Sequence, residues 1–124
     1  IDRSVLRIAA QNAESAGVSE LIKFTRKDFF RTSAPLDNSL VIANPPYADR
    51  SEEGVVDDLY ERIGEKLKAD YASSKVWLVL FDREEKKSLN AKPTREISLD
   101  NGGLHCDFAC YESVTSGRKF KFGK

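Results

Sequence analysis

Two short stretches without a single polar residue do most to limit what this chain can fold into: Leu40-Val41-Ile42-Ala43 and Val76-Trp77-Leu78-Val79-Leu80-Phe81. Unbroken apolarity over so short a run, in place of alternation, marks a strand covered on both faces in a parallel sheet. Between the two runs Val56, Leu59, Tyr60, Ile63 and Leu67 recur at intervals of three and four, the apolar stripe of an amphipathic helix. Helices alternating with buried strands predict an open α/β sheet, mostly parallel.

The flanking segments extend this pattern. Arg3 to Ala16 predicts a helix, capped by Asp2 or Ser4, with Val5, Ile8, Ala9, Ala13 and Ala16 on one side and Gly17 as its stop. Leu21 to Arg26 alternates and predicts a strand, and Ser33 to Asn38 is a turn-rich connection. Asp49 to Gly54 is polar and reads as a mobile loop. Asp82 to Asn90 is charged and suits a short surface helix. Glu96–Asp100 and Leu104–Tyr111 flank Asn101-Gly102-Gly103, a strong hairpin signal. In its second arm Leu104, Cys106, Phe108 and Cys110 share a face by period two. An antiparallel hairpin therefore closes a mostly parallel sheet.

Composition bounds the function. The 124 residues are 32% charged, but twenty Lys+Arg balance twenty Asp+Glu. That mixture excludes a disordered or collagen-like chain, and the neutral total excludes a whole-chain polycation. The longest apolar run is six residues, against about 20 needed to cross a bilayer in a helix, so no membrane partner is expected. No signal peptide is visible. The chain lacks Met and begins at Ile1, so it reads as a single domain fragment, residues 1–124, of a longer protein. Cys106 and Cys110 on one strand would lie about 13 Å apart. A disulfide needs about 7 Å or less, so free thiols and a reducing, cytoplasmic location are expected. One His and two Cys at this spacing are poor material for zinc, and no metal site is expected.

The chemistry sits in Asn44-Pro45-Pro46-Tyr47, at the carboxyl end of the first apolar run. In open α/β sheets ligands bind at that end of the strands. These residue types suit the holding of a planar amine. The Asn44 side-chain oxygen and the Pro45 carbonyl can each accept one amine hydrogen. Two prolines fix φ and remove donors, so acceptors are presented on a stiff backbone. Tyr47 offers a flat face for stacking a base. The plainer reading is a rigid loop in which Asn44 satisfies backbone groups and Tyr47 packs.

Asn-Pro-Pro-Tyr after a strand resembles motif IV of the class I S-adenosylmethionine-dependent methyltransferases that modify exocyclic or amide nitrogens. Ile1-Asp2-Arg3 with Ala10-Gln11-Asn12-Ala13 and Ala16-Gly17-Val18 resembles the segment after the second strand of that fold, and Lys27-Asp28-Phe29 its motif III. Leu59-Tyr60, Ile63-Gly64 to Leu67-Lys68, and Asp100 to Cys106 resemble one subfamily: the THUMP-containing RlmL-like enzymes. These methylate guanine 2-amino groups in large-subunit ribosomal RNA and share the tetrapeptide with adenine-specific DNA methylases. The resemblance covers nearly the whole chain and the later part of the family's catalytic domain.

The resemblance implies a partial Rossmann-like class I methyltransferase sheet that lacks the family's glycine-rich first motif and first strand. It implies S-adenosylmethionine as cofactor, with Ile1 and Phe29 packing on its adenine and Asp28 accepting from the adenine amino group. Asp2 is a weaker candidate for the ribose, and Asn44 also borders the cofactor. Asn44, Pro45, Pro46 and Tyr47 hold the target base. Ribosomal RNA is the implied partner, with DNA as the alternative. The absent strands imply completion by an N-terminal segment of the same protein or by a second copy, and a fragment inactive alone. Rival readings are a DNA adenine or cytosine amino-methyltransferase, a protein glutamine methyltransferase, and a non-catalytic α/β binding module. Beside these stand plain readings: Asp28 as a turn former or cap, His105 as a surface residue of the hairpin, Trp77 as core, Arg50 as an exposed arginine, and the basic end from Arg118 to Lys124 as a solvated tail.

Overall fold

In the computed structural model, the backbone is described for residues 2–46 and 55–112, with the side chains of 55–57 outside the description. The residues divide into two compact units, 1–32 and 33–124.

The first unit is built on α1 (Arg3–Ser15). Asp2 caps it: its Oδ1 accepts from the Ser4 amide and the Ser4 hydroxyl, both at 2.8 Å. These bonds hold the Asp2 carboxyl below the usual range. The helix stops at Gly17, whose φ of +73° is the left-handed conformation a glycine adopts without strain. Of the expected apolar stripe Ala13 is buried, while Val5 and Ile8 are 60% and 53% exposed.

The strand expected over Leu21–Arg26 does not form. A 3-10 turn spans Ser19–Leu21, and residues 22–28 run without regular structure. Ile22 is extended, at φ −120° and ψ 126°. Extended backbone becomes a strand only when a neighbour takes its hydrogen bonds. The four-stranded sheet of the described residues draws all its strands from the second unit. A further 3-10 turn, Phe29–Arg31, closes the first unit.

The second unit contains β1 (Leu40–Ala43), α2 (Val55–Asp70), β2 (Lys75–Leu80), α3 (Arg83–Ser88), β3 (Arg95–Asn101) and β4 (Leu104–Glu112). The sheet order is β1-β2-β4-β3. β1 and β2 are parallel, with Val41 opposite Val76 and Ala43 opposite Leu78. β4 runs antiparallel to β2 and to β3. The hairpin forms as expected. Asn101 pairs with Leu104, and the intervening Gly102 and Gly103 both take positive φ. Asp100 Oδ1 accepts from the Gly103 amide at 2.7 Å and fastens the turn.

Register divides the sheet into two unlike faces. One carries Val76, Leu78 and Leu80 with Tyr111, Ala109 and Asp107. The helices cover it: Tyr60, Ile63 and Leu67 of α2 are buried, as are Val76, Leu78, Leu80, Ala109 and Tyr111. Each such leucine contributes about 1.5–3 kcal/mol. Lys86 of α3 pins the helix layer to the strands through ion pairs with Asp107 and Glu96. The other face carries Leu40, Ile42, Trp77, Val79 and Phe108.

That second face corrects two expectations. β1 is parallel to its neighbour but is an edge strand, and Leu40 and Ile42 stay 62% and 64% exposed. Trp77 is half-buried rather than core, its ring centroid 4.6 Å from that of Phe108. An apolar run shows what a strand can bury; it does not supply the cover. Cys106 and Cys110 are buried on this face with free thiols.

Candidate functional site

The first implied site residues lie in the first unit. Asp28 is the cap of the Phe29–Arg31 turn: its Oδ1 accepts from the Phe30 amide at 2.9 Å, and its carbonyl accepts from the Thr32 hydroxyl at 2.6 Å. The cap reading therefore holds. The second oxygen, Oδ2, lies 4.0 Å from Arg31 Nε, and the side chain is half exposed. One carboxylate oxygen thus shapes the turn while the other stands at ion-pair distance from Arg31. Phe29 packs edge-on against Phe30 at 5.3 Å.

The motif residues lie in the second unit, where β1 ends. Asn44 is exposed, Pro45 is buried and Pro46 is exposed. β1 delivers Asn44 to the carboxyl edge of the parallel pair, with the buried Pro45 beside it. Ile1 and Tyr47 lie outside the described residues, as do Arg50, the loop 49–54 and the basic end. Asp28 and Phe29 belong to one unit, Asn44 to Pro46 to the other.

Beneath the motif is a polar cluster that sequence reasoning passes over. The Tyr60 hydroxyl donates to the Pro46 carbonyl at 3.4 Å, and Tyr60 is wholly buried. Beside it stands Glu85 of α3, 2% exposed. Asp82 and Glu85 form a reciprocal capping box at the start of α3. The Glu85 carboxylate accepts from the Phe81 amide at 2.6 Å and the Asp82 amide at 3.4 Å. Burial pushes the Glu85 carboxyl up from its ordinary value, against the pull of these amides. Burial, then the neighbouring Glu85, pushes the Tyr60 phenol up. The Asp82-x-x-Glu85 pattern is the signal that could have found this cluster. Tyr60 entered the sequence reading as a position of the apolar stripe and as part of the Leu59-Tyr60 resemblance, in neither case as a hydrogen-bond donor.

Gly64 is a second such residue. A Cβ at Gly64 would stand 2.1 Å from the Leu89 carbonyl oxygen, so the glycine lets the end of α3 close onto α2. The remaining candidates are plain. His105 is exposed, with Nε2 3.6 Å from Asp107 Oδ1. A polar recess between α2 and α3, lined by Glu61, Glu65, Lys68 and Glu84, contains no motif residue. Among the described residues no group of three or more His, Cys, Asp or Glu could hold a metal. Nor is any described helix long and apolar enough to cross a membrane.

A parallel strand pair bearing Asn-Pro-Pro at its carboxyl end, with an antiparallel hairpin completing the sheet, defines a methyltransferase-type α/β domain. Residues 1–109 match the family described as "RMKL-like, methyltransferase domain", and the chain belongs to that family. It is 35% identical over 112 residues to the ribosomal RNA large subunit methyltransferase K/L of Shewanella baltica. It is 35% identical over 121 residues to that of Shewanella amazonensis. These alignments cover 90% and 96% of this chain but only 16% and 17% of the relatives. Among solved structures, a possible methylase from Clostridium difficile matches with TM-score 0.83 and 28% identity, over 96% of this chain and 32% of that one. A predicted N6-adenine-specific DNA methylase from Listeria monocytogenes matches with TM-score 0.71 and 27% identity, over 90% and 28%. A protein described as a methyltransferase and solved in complex with SAH shares the fold, with TM-score 0.80 at 24% identity over 90% and 29%.

Proposed function

We propose that this chain is the base-holding part of a cytoplasmic enzyme that transfers a methyl group from S-adenosylmethionine to the 2-amino group of a guanine in large-subunit ribosomal RNA. The observation that carries the reading is the exposed Asn44 followed by the buried Pro45 at the carboxyl end of β1. The names of the K/L relatives support the RNA substrate and the ribosomal class.

The Asn44 side-chain oxygen and the Pro45 carbonyl accept the two amine hydrogens, which turns the nitrogen lone pair outward from the pair of acceptors. Neither proline offers a donor that would compete for them. Tyr47 stacks the base, which must leave its own stack first. The Asp28 Oδ2, which takes no part in the cap, is chemically suited to accept from the cofactor's adenine amino group, with Phe29 and Ile1 on the ring and Asp2 a weaker candidate for the ribose. When bound, S-adenosylmethionine supplies the electrophile, a sulfonium methyl group. The protein's part is then positioning and exclusion of water.

The test is to incubate the full-length protein with methyl-labelled S-adenosylmethionine and either unmodified large-subunit rRNA or duplex DNA. Label in rRNA guanine is expected. Asn44→Ala should cut that turnover about ten- to a hundredfold through the lost acceptor; unchanged turnover removes Asn44 from the mechanism. Label only in DNA favours a second reading, DNA amino-methylation, which the likeness to the Listeria protein supports. It keeps the same roles for Asn44, Pro45 and Tyr47.

A further inference from the structure

The Pro46 carbonyl and the Phe81–Asp82 amides belong to the turns that leave β1 and β2, neighbouring parallel strands in register. Two buried side chains reach these turns from the helix layer. Tyr60 of α2 reaches the first at the Pro46 carbonyl, 3.4 Å away, and shares its one hydroxyl hydrogen between that carbonyl and the Glu85 carboxylate. Glu85 of α3 holds the second through the Phe81 amide at 2.6 Å and the Asp82 amide. We infer that Tyr60 and Glu85 form a cross-brace between the two strand ends, and that Tyr60 is the positioning residue of the base-holding motif.

Sterics and stereochemistry support this assignment. Pro45 and Pro46 have no amide hydrogens, so the motif cannot fasten itself by donating from its backbone there. Its carbonyls are what the protein can grip, and a hydroxyl arriving from a buried helix face is a suitable donor. Gripping the Pro46 carbonyl restrains the backbone two residues past Asn44 while leaving Asn44 exposed. Gly64 lies one turn further along α2 and allows the close approach of α3 that sets Glu85 beside Tyr60. A tyrosine serving only to fill the core would do as well as phenylalanine. The brace requires the oxygen.

This inference deepens the proposed reading and rests on it for its catalytic consequence. The experiment compares Tyr60→Phe with the parental sequence in the full-length protein, using labelled S-adenosylmethionine and large-subunit rRNA. Expected is a fall in kcat of about tenfold, the worth of one buried hydrogen bond, with KM for S-adenosylmethionine unchanged. A kcat within twofold of the parent overturns the positioning role. Hydrogen exchange measured on the same variant separates this from general damage. The peptide covering residues 40–50 should exchange faster while peptides of β4 do not change. Acceleration spread evenly over the domain overturns the brace and leaves Tyr60 a core residue. Asn44→Ala, run in parallel, isolates the functional reading. If it keeps full activity the motif assignment fails, while the exchange result still decides whether Tyr60 holds the turn.

Discussion

The two faces of the four-stranded sheet carry apolar residues at the same period, yet the helices cover only one of them, and on the other the burial is confined to Cys106 and Cys110 while the β1 edge stays open. On the helix-covered face Val76, Leu78 and Leu80 are buried, and Lys86, Asp107 and Glu96 tie helix to strand. On the opposite face Leu40 and Ile42 stand exposed at the β1 edge, and Trp77 leans on Phe108. The difference lies in the cover, since both faces are made of similar side chains. Hydrophobic stabilisation follows the area removed from water and is indifferent to the pattern that makes removal feasible.

Truncation on the two faces breaks or confirms this contrast most sharply. Leu80→Ala should cost about 2–5 kcal/mol in urea unfolding, as transfer and cavity terms combine. Ile42→Ala should cost about 0.5 kcal/mol or less. If both variants lose the same amount in the full-length protein, the exposed face is covered there and the contrast belongs to this chain alone.

A smaller effect is expected from Gly64→Ala. The added Cβ meets a backbone carbonyl, which cannot rotate away, so α2 and α3 must separate. The expected cost is about 1–3 kcal/mol, the range for overpacking. A variant as stable as the parent would mean that the helix pair has slack, and the covered face would be less tightly defined than its burial implies.

The smallest effect concerns pH. Lys86 holds the Asp107 carboxyl below its ordinary value, so this pair contributes stability above the unfolded carboxylate pKa of about 3.9 and loses it as pH falls further. Glu85 has the opposite sign. Burial raises its carboxyl, so its contribution is complete below about pH 4.3 and declines as pH rises through the higher folded value. Thermal melts across this range should show Glu85→Gln flattening the decline on the alkaline side of the carboxylate region. A slope identical to that of the parent would place the Glu85 charge in a better-solvated setting than its 2% exposure suggests.

Local rules carried much of the sequence reading. α1 formed where its period and its Asp2 cap placed it, the Asn101–Gly103 turn formed the hairpin, and the apolar runs became β1 and β2. The position of Asn44-Pro45-Pro46 after a strand was equally legible, because capping, turn geometry and strand patterning act within a few residues of one another. Other features depended on contacts distant in sequence. Residues 22–28 run without regular structure, and β1 lies at the edge of the sheet that the described residues form. Tyr60, read as part of the apolar stripe, is a donor on the Pro46 carbonyl, and Gly64, read only for the resemblance it carries, is a point of close approach. Periodicity can show which side of an element seeks cover. Only the tertiary structure decides what comes to cover it, because that depends on partners that the local pattern does not encode.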